Sequence, residues 1–186
     1  MRKVIAAINM TLDGFCDHTA VVPDEEIHQH YTDLLNNGGV ILYGRITYQL
    51  MQFWQTLIKN PSGEKTMDDF AIAIDKIPKI VFSHTLMHTE WDSAKLSNQS
   101  IDEEVLELKQ SSNGGSKDIF IGSRSLIIQL MKLNLIDEYQ LMVHPVVAGG
   151  GLPLFENINE RTILKLIKTE TFSGGAVTLY YEPIKK

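Results

Sequence analysis

The feature that most constrains this chain is an alternation of two patterns. Short, nearly uninterrupted apolar runs (Val4 to Ile8, Val40 to Tyr43, Lys79 to Phe82, Ile119 to Ile121) are separated by longer segments whose apolar residues return every three or four positions. A run with no polar side suits a strand covered on both faces, which is the situation of parallel strands crossed by helices. Between the first two runs, Pro23-Asp24-Glu25-Glu26 opens a helix with carboxylates where its dipole favours them. Ile27, Tyr31, Leu34 and Leu35 then recur along one face, and Asn36-Asn37-Gly38-Gly39 stops it. Ser100-Ile101-Asp102-Glu103 has the capping-box pattern, with Val105 and Leu108 continuing the apolar face, and a third helix is predicted from about Arg124 to Leu133. Asn60 to Lys65 reads as a surface loop.

The C-terminal third changes style. Tyr139 to Val147 reads as one long strand, and Thr162 to Phe172 and Ala176 to Tyr181 flank Ser173-Gly174-Gly175 as a hairpin. The order predicts an α/β fold: a central mixed, mostly parallel sheet with a C-terminal antiparallel hairpin and helices on both faces. No repeat or linker divides the sequence, so residues 1–186 are expected to form a single domain.

Charge and cysteine usage narrow the partners. Lys+Arg 17 against Asp+Glu 23 gives a net charge of -6, which disfavours a general nucleic-acid binder, because counterion release needs a concentrated basic face. An anionic small ligand responds to local dipoles and stays open. Cys16 is the only cysteine, so no internal disulfide forms. Asn9, Thr11 and Asp13 end the first apolar run before it could act as a signal core, and no stretch approaches the roughly 18 apolar residues of a membrane span. A cytoplasmic enzyme or binding protein with no membrane or nucleic-acid partner is expected.

In open α/β sheets, ligands collect beyond the carboxyl ends of the strands. Three such ends carry suggestive residues: Gly44-Arg45-Ile46-Thr47, Ser83-His84-Thr85, and Gly122-Ser123-Arg124-Ser125. A glycine after a strand is first of all a tight turn. Glycine also lets backbone N–H groups approach a phosphate, and arginine adds a fork of donors. Three anion-friendly ends on neighbouring strands suit a ligand with several phosphates, such as a dinucleotide. His28 and His30 point different ways on a helix, and His84 and His88 have no Cys or carboxylate cluster beside them, so no metal site is expected. Cys16 has no neighbour to activate it.

These residues, in this order, resemble the dihydrofolate reductase-like superfamily. The resemblance rests on Ile5-Ala6-Ala7, Thr11-Leu12-Asp13-Gly14-Phe15, Gly44-Arg45-Ile46-Thr47-Tyr48, Val81-Phe82-Ser83-His84-Thr85, Ile119-Phe120-Ile121-Gly122-Ser123, Leu135-Ile136-Asp137-Glu138-Tyr139, Pro145, Gly149-Gly150-Gly151 and Leu154-Phe155. The similar branch is the reductase domain of the bacterial riboflavin-biosynthesis deaminase-reductase, here in stand-alone form. It implies a three-layer fold, NADPH (or NADH) as coenzyme, and hydride transfer to a heterocyclic or sugar-derived small molecule, of the 5-amino-6-(5-phosphoribosylamino)uracil reductase or dihydrofolate reductase type. It also implies a homodimer.

Carried over residue by residue, the resemblance has Gly44, Arg45 and Thr47 hold the phosphate-bearing middle of the coenzyme, and Ser83 and Thr85 lie near its 2′-phosphate. Gly122, Ser123, Arg124, Ser125 and Leu126 would seat the pyrophosphate. Ala7 would offer backbone groups to the nicotinamide carboxamide, with Asp13-Gly14-Phe15 in the loop beside the ring. Asp13 and His144 are the candidate catalytic groups for proton supply. Two departures bear on the substrate. Ile121 stands where the riboflavin reductases place a carboxylate, and His84 stands where many relatives have arginine. They motivate an alternative, a nucleotide-binding module that kept the cleft without turnover.

Overall fold

The computed structural model describes residues 1–111, 117–158 and 161–184. The elements run β1 (Val4–Thr11), α1 (Glu25–Asn37), β2 (Val40–Gly44), α2 (Arg45–Met51), α3 (Phe53–Lys59), α4 (Lys65–Lys76), β3 (Lys79–Phe82), β4 (Ala94–Leu96), α5 (Ile101–Gln110), β5 (Ile119–Ile121), α6 (Arg124–Lys132), β6 (Glu138–His144), β7 (Leu164–Thr171) and β8 (Val177–Pro183). The eight strands form one sheet in the order β4-β3-β2-β5-β1-β6-β8-β7. Pairing is parallel from β4 across to β6, and β8 is antiparallel to both β6 and β7. This is the mixed, mostly parallel sheet with a C-terminal hairpin that the apolar pattern predicted.

The apolar runs are buried for the reason their composition suggests. Even-numbered residues of β1 pack with Ile101 and Val105 of α5 and Leu126, Ile127 and Leu130 of α6. Ile5, on the opposite face, packs in a second core with Leu35 of α1, Tyr48 of α2 and Phe70, Ala73 and Ile74 of α4. Helices therefore cover both faces, in three layers. Asp24 caps α1 by accepting from the Ile27 N–H at 2.9 Å, and Glu103 accepts from the Ser100 N–H at 3.1 Å at the start of α5. Among the described residues no helix is long and apolar enough to cross a membrane.

The structure differs from the sequence reading in several places, including the helices α2 and α3, which that reading did not assign. The strand beginning near Tyr139 ends at His144 rather than Val147, because Pro145 has no N–H for the ladder and the Val146 N–H turns back to the His144 carbonyl at 2.8 Å. Lys65 closes no loop but opens α4, whose inner face is Phe70, Ala71, Ala73 and Ile74. The short strand β4, Ala-Lys-Leu, has no apolar run of its own and is made a strand by pairing with β3.

Candidate functional site

The parallel strands bring their carboxyl ends to one rim, and the glycine turns meet there. Leu42 of β2 pairs with Ile121 of β5, so Gly44 and Gly122 leave neighbouring strands side by side. The buried Gly44 N–H donates to Ser123 Oγ at 2.9 Å. Both glycines are close-approach positions. A Cβ on Gly44 would sit 3.3 Å from Ser125 Oγ, and one on Gly122 would sit 3.0 Å from Tyr43 Cε1.

Ser123 is also the N-cap of α6, yet its hydroxyl does not cap that helix, being spent on Gly44. The first hydrogen bond of the helix is Ile127 N–H to the Ser123 carbonyl at 2.9 Å. The N–H groups of Arg124, Ser125 and Leu126 thus precede the first intrahelical bond and lack a side-chain cap, the condition in which a helix start meets an anion. Leu126 has its side chain in the core, so backbone is what it can offer, while Ser125 is exposed. Hydroxyls, N–H groups and arginines, with no carboxylate in either turn, are a donor set that fits a phosphate.

The neighbouring end of β3 continues this rim, since Gly44 pairs with Phe82. Ser83 Oγ accepts from the N–H groups of Thr85 at 3.1 Å and Leu86 at 2.9 Å, so Ser83 builds the turn and Thr85 stands exposed on it. Arg45 is exposed and tied only loosely, Nη1 to Gln49 Oε1 at 3.2 Å, and Thr47, two residues on, is half-buried. Arg124 is engaged elsewhere. Its Nε donates to the Pro153 carbonyl at 2.6 Å, and its Nη2 lies 2.7 Å from Glu156 Oε1, which fastens the loop after β6 to the start of α6.

On the other side of β5 the strands part. The β5 ladder to β1 stops at Ala6–Ile121, whereas β1 continues to Thr11 with β6 as its neighbour. Among the described residues, no strand therefore lies beside residues 7 to 11 on the β5 side. Ala7 is the first residue of that open edge, where backbone groups can meet a ligand amide.

Asp13 and His144 both lie at this end, in different settings. Asp13 is exposed and accepts from Thr11 Oγ1 at 2.6 Å and from the N–H groups of Ala148 at 3.1 Å and Gly149 at 2.7 Å. The Thr11 hydroxyl and those N–H groups hold its carboxyl at about 2, so it stays ionised and staples two loops rather than donating a proton at neutral pH. The same loops are zipped by Leu12 N–H to the Val146 carbonyl and Cys16 N–H to the Leu152 carbonyl, each 2.8 Å. Burial pushes the Cys16 thiol up to about 11, which leaves it unreactive. His144 is buried, its Nε2 2.9 Å from Asn9 Oδ1, and burial lowers its pKa against a smaller opposing pull from Asp24. Tyr31 Oη of α1 donates to the same Asn9 oxygen at 3.1 Å.

The structure thus brings Gly44, Ser123, Arg124, Ser125, Leu126 and Ser83 to one continuous rim, with Ala7, Asp13 and His144 beyond the gap. Sequence reasoning missed Asn9 and Tyr31, and the tie of Arg124 to Glu156. The one available signal was Asn9 itself, a polar residue interrupting an otherwise apolar strand.

Comparison with known proteins bears on the same arrangement. The sequence matches the family described as the RibD C-terminal domain over residues 2–178. It is 37% identical to the uncharacterized protein YyaP of Bacillus subtilis (strain 168), covering 97% of this chain and 94% of that one. In structure it is similar to a putative riboflavin biosynthesis protein from Shewanella sp. PV-4, with a TM-score of 0.70, 18% identity and 100% of both chains covered. It is also similar to a diaminohydroxyphosphoribosylaminopyrimidine deaminase/5-amino-6-(5-phosphoribosylamino)uracil reductase from Thermotoga maritima. There the TM-score is 0.63 and the identity 14%, over 98% of this chain and 57% of that longer one.

Proposed function

The chain belongs to the RibD C-terminal domain family, and from that membership we propose that it is an NADPH-dependent reductase of a heterocyclic or sugar-derived small molecule. The observation that carries this reading is the joining of two phosphate-compatible turns, with the Gly44 N–H on Ser123 Oγ, beside the uncapped start of α6. Ser125, Arg124 and the first N–H groups of α6 would hold the pyrophosphate over the turn at Gly44, whose own N–H is spent on Ser123, and Arg45 and Thr47 would flank it. Ser83 and Thr85 would face the adenosine end, where exposed His84 admits NADH as well as NADPH. Ala7 would orient the carboxamide from the open edge of β1. The nicotinamide, when bound, supplies the hydride.

The chain's own contribution is binding and orientation. Asp13 keeps the loops 12–16 and 146–154 together through its charge, and so shields the end of β1 from water. With Asp13 ionised and His144 buried against Asn9, neither supplies a proton, and solvent becomes the proton source. Because the Thermotoga protein carries the name of a uracil-derivative reductase, a pyrimidine of that kind is the first substrate class to test.

The alternative, a nucleotide-binding module without turnover, is favoured by one observation: Ile121, at the position where the resemblance calls for a carboxylate, is fully buried in the core and offers no acceptor. Mixing the protein with NADPH and a panel of oxo-pyrimidines, pterins and small carbonyl compounds, and following absorbance of the reduced nicotinamide, decides between them. Oxidation supports the reductase, and binding without oxidation across the panel supports the module.

A homodimer is part of the same proposal. β7 is an edge strand whose Leu166 and Ile167 are 49% and 46% exposed, with Ile163 and Ile184 exposed beside them. An apolar unpaired edge is a pairing surface unless covered. Sedimentation at micromolar concentration tests it, and a monomer overturns it.

A further inference from the structure

Asn9 stands on the same face of β1 as Ala7, two residues further on, within the stretch that pairs with no strand on the β5 side among the described residues. It is the only polar side chain between Val4 and Met10. Its carbonyl end is fully used: Oδ1 has two lone pairs, and it faces Tyr31 Oη at 3.1 Å and His144 Nε2 at 2.9 Å. Its Nδ2 has no hydrogen-bond partner among the described residues, and it is not among the polar atoms sealed from solvent. The two anchors come from different elements, Tyr31 from α1 and His144 from β6, so the amide plane is fixed from two sides. The result is a half-buried amide whose two N–H donors are pre-oriented and unspent, beside the open edge where the nicotinamide is proposed to lie.

Resting on the reductase reading above, we propose that Asn9 reads the substrate by donating from Nδ2 to an exocyclic carbonyl oxygen, with Tyr31 and His144 as positioning residues. A carboxylate in this place would select amino groups and protonated rings. An amide held by its oxygen selects a ring whose exocyclic group accepts, which points to an oxo-pyrimidine rather than an amino-pyrimidine, whose exocyclic groups donate.

The test uses the 186-residue chain saturated with NADP+ and two probes of similar size, 5-aminouracil and 2,4-diaminopyrimidine, titrated by calorimetry. The wild type should prefer 5-aminouracil by about tenfold, the scale of one hydrogen bond with a buried partner. Asn9→Ala should abolish the preference and Asn9→Asp should invert it, with NADP+ affinity unchanged in both. Tyr31→Phe should reduce the preference by about threefold, and it should have no further effect in an Asn9→Ala background. That cycle separates positioning from general loosening, and it stands even if Asn9→Asp does not fold.

An unchanged preference in Asn9→Asp, or failure of the NADP+ complex to bind either probe, overturns the inference alone. A Tyr31→Phe effect that persists without Asn9 overturns the positioning role. A wild type that does not bind NADP+ overturns the reductase reading, and this inference with it.

Discussion

The β2–β5 half of the rim and the β1–β6 half differ in how their polar groups are held. On the first, the contact that matters is buried and backbone-centred: Gly44 N–H to Ser123 Oγ, with both residues sealed from solvent. On the second, an exposed carboxylate, Asp13, gathers N–H groups from a loop more than 130 residues away in sequence. A buried neutral bond is insensitive to salt and pH, whereas an exposed charge-assisted staple depends on both. Under the proposed reading, the rigid half would hold the coenzyme and the adjustable half would face the substrate.

The sharpest way to break the comparison is Ser123→Ala. If the rigid half rests on that hydroxyl, its removal strands the buried Gly44 N–H without an acceptor, at a cost of about 1–3 kcal/mol. The urea midpoint should fall accordingly, and NADPH affinity should fall with it. A variant of wild-type stability would show that the junction of the two turns is not held there.

Arg124 belongs to both halves, which makes it the next test. It leaves the start of α6, but its guanidinium is shared with the Pro153 carbonyl and Glu156 of the other half. A phosphate at the α6 start competes with Glu156 for the same cation. Arg124→Ala should weaken NADPH binding by about tenfold, and Glu156→Gln, which removes the competitor, should strengthen it by about threefold. The half-exposed pair is screened by salt, so the Glu156→Gln gain should shrink as ionic strength rises. Equal effects of the two substitutions in the same direction would show that Arg124 serves only the loop.

How much of this was legible beforehand follows from the same division. The Gly44 and Gly122 turns could be read because strand, glycine and helix start lie within a few residues of one another, so local pattern carries them. The three-layer sheet could be read because both-face burial leaves continuous apolar runs. The Asn9 cluster could not be read, since its partners lie 22 and 135 residues away and only the fold brings them together. Arg124 could be read as a cation at a helix start, but its diversion to Glu156 depends on where the loop after β6 lands. Pro145 was visible throughout, and its missing N–H was sufficient reason to end β6 at His144.

The smallest effect comes from Asp13, and it probes the adjustable half without disturbing the rest. The Thr11 hydroxyl and the Ala148 and Gly149 N–H groups lower its carboxyl from an ordinary value of 3.8 to about 2. A group whose folded pKa is depressed stabilises the folded loops fully above the unfolded value and loses that contribution as pH falls through the folded one. The staple should therefore be intact above pH 4 and open progressively towards pH 2. Amide exchange at Ala148 and Gly149, corrected for its intrinsic pH dependence, should accelerate over that window in the wild type. In Asp13→Asn, exchange at both should already be fast at pH 6 and show no such step. The amides of α6 should not follow that step, because nothing in the Gly44–Ser123 junction titrates there. A step shared by the α6 amides would mean that the two halves of the rim open as one unit, and the division drawn between them would fall.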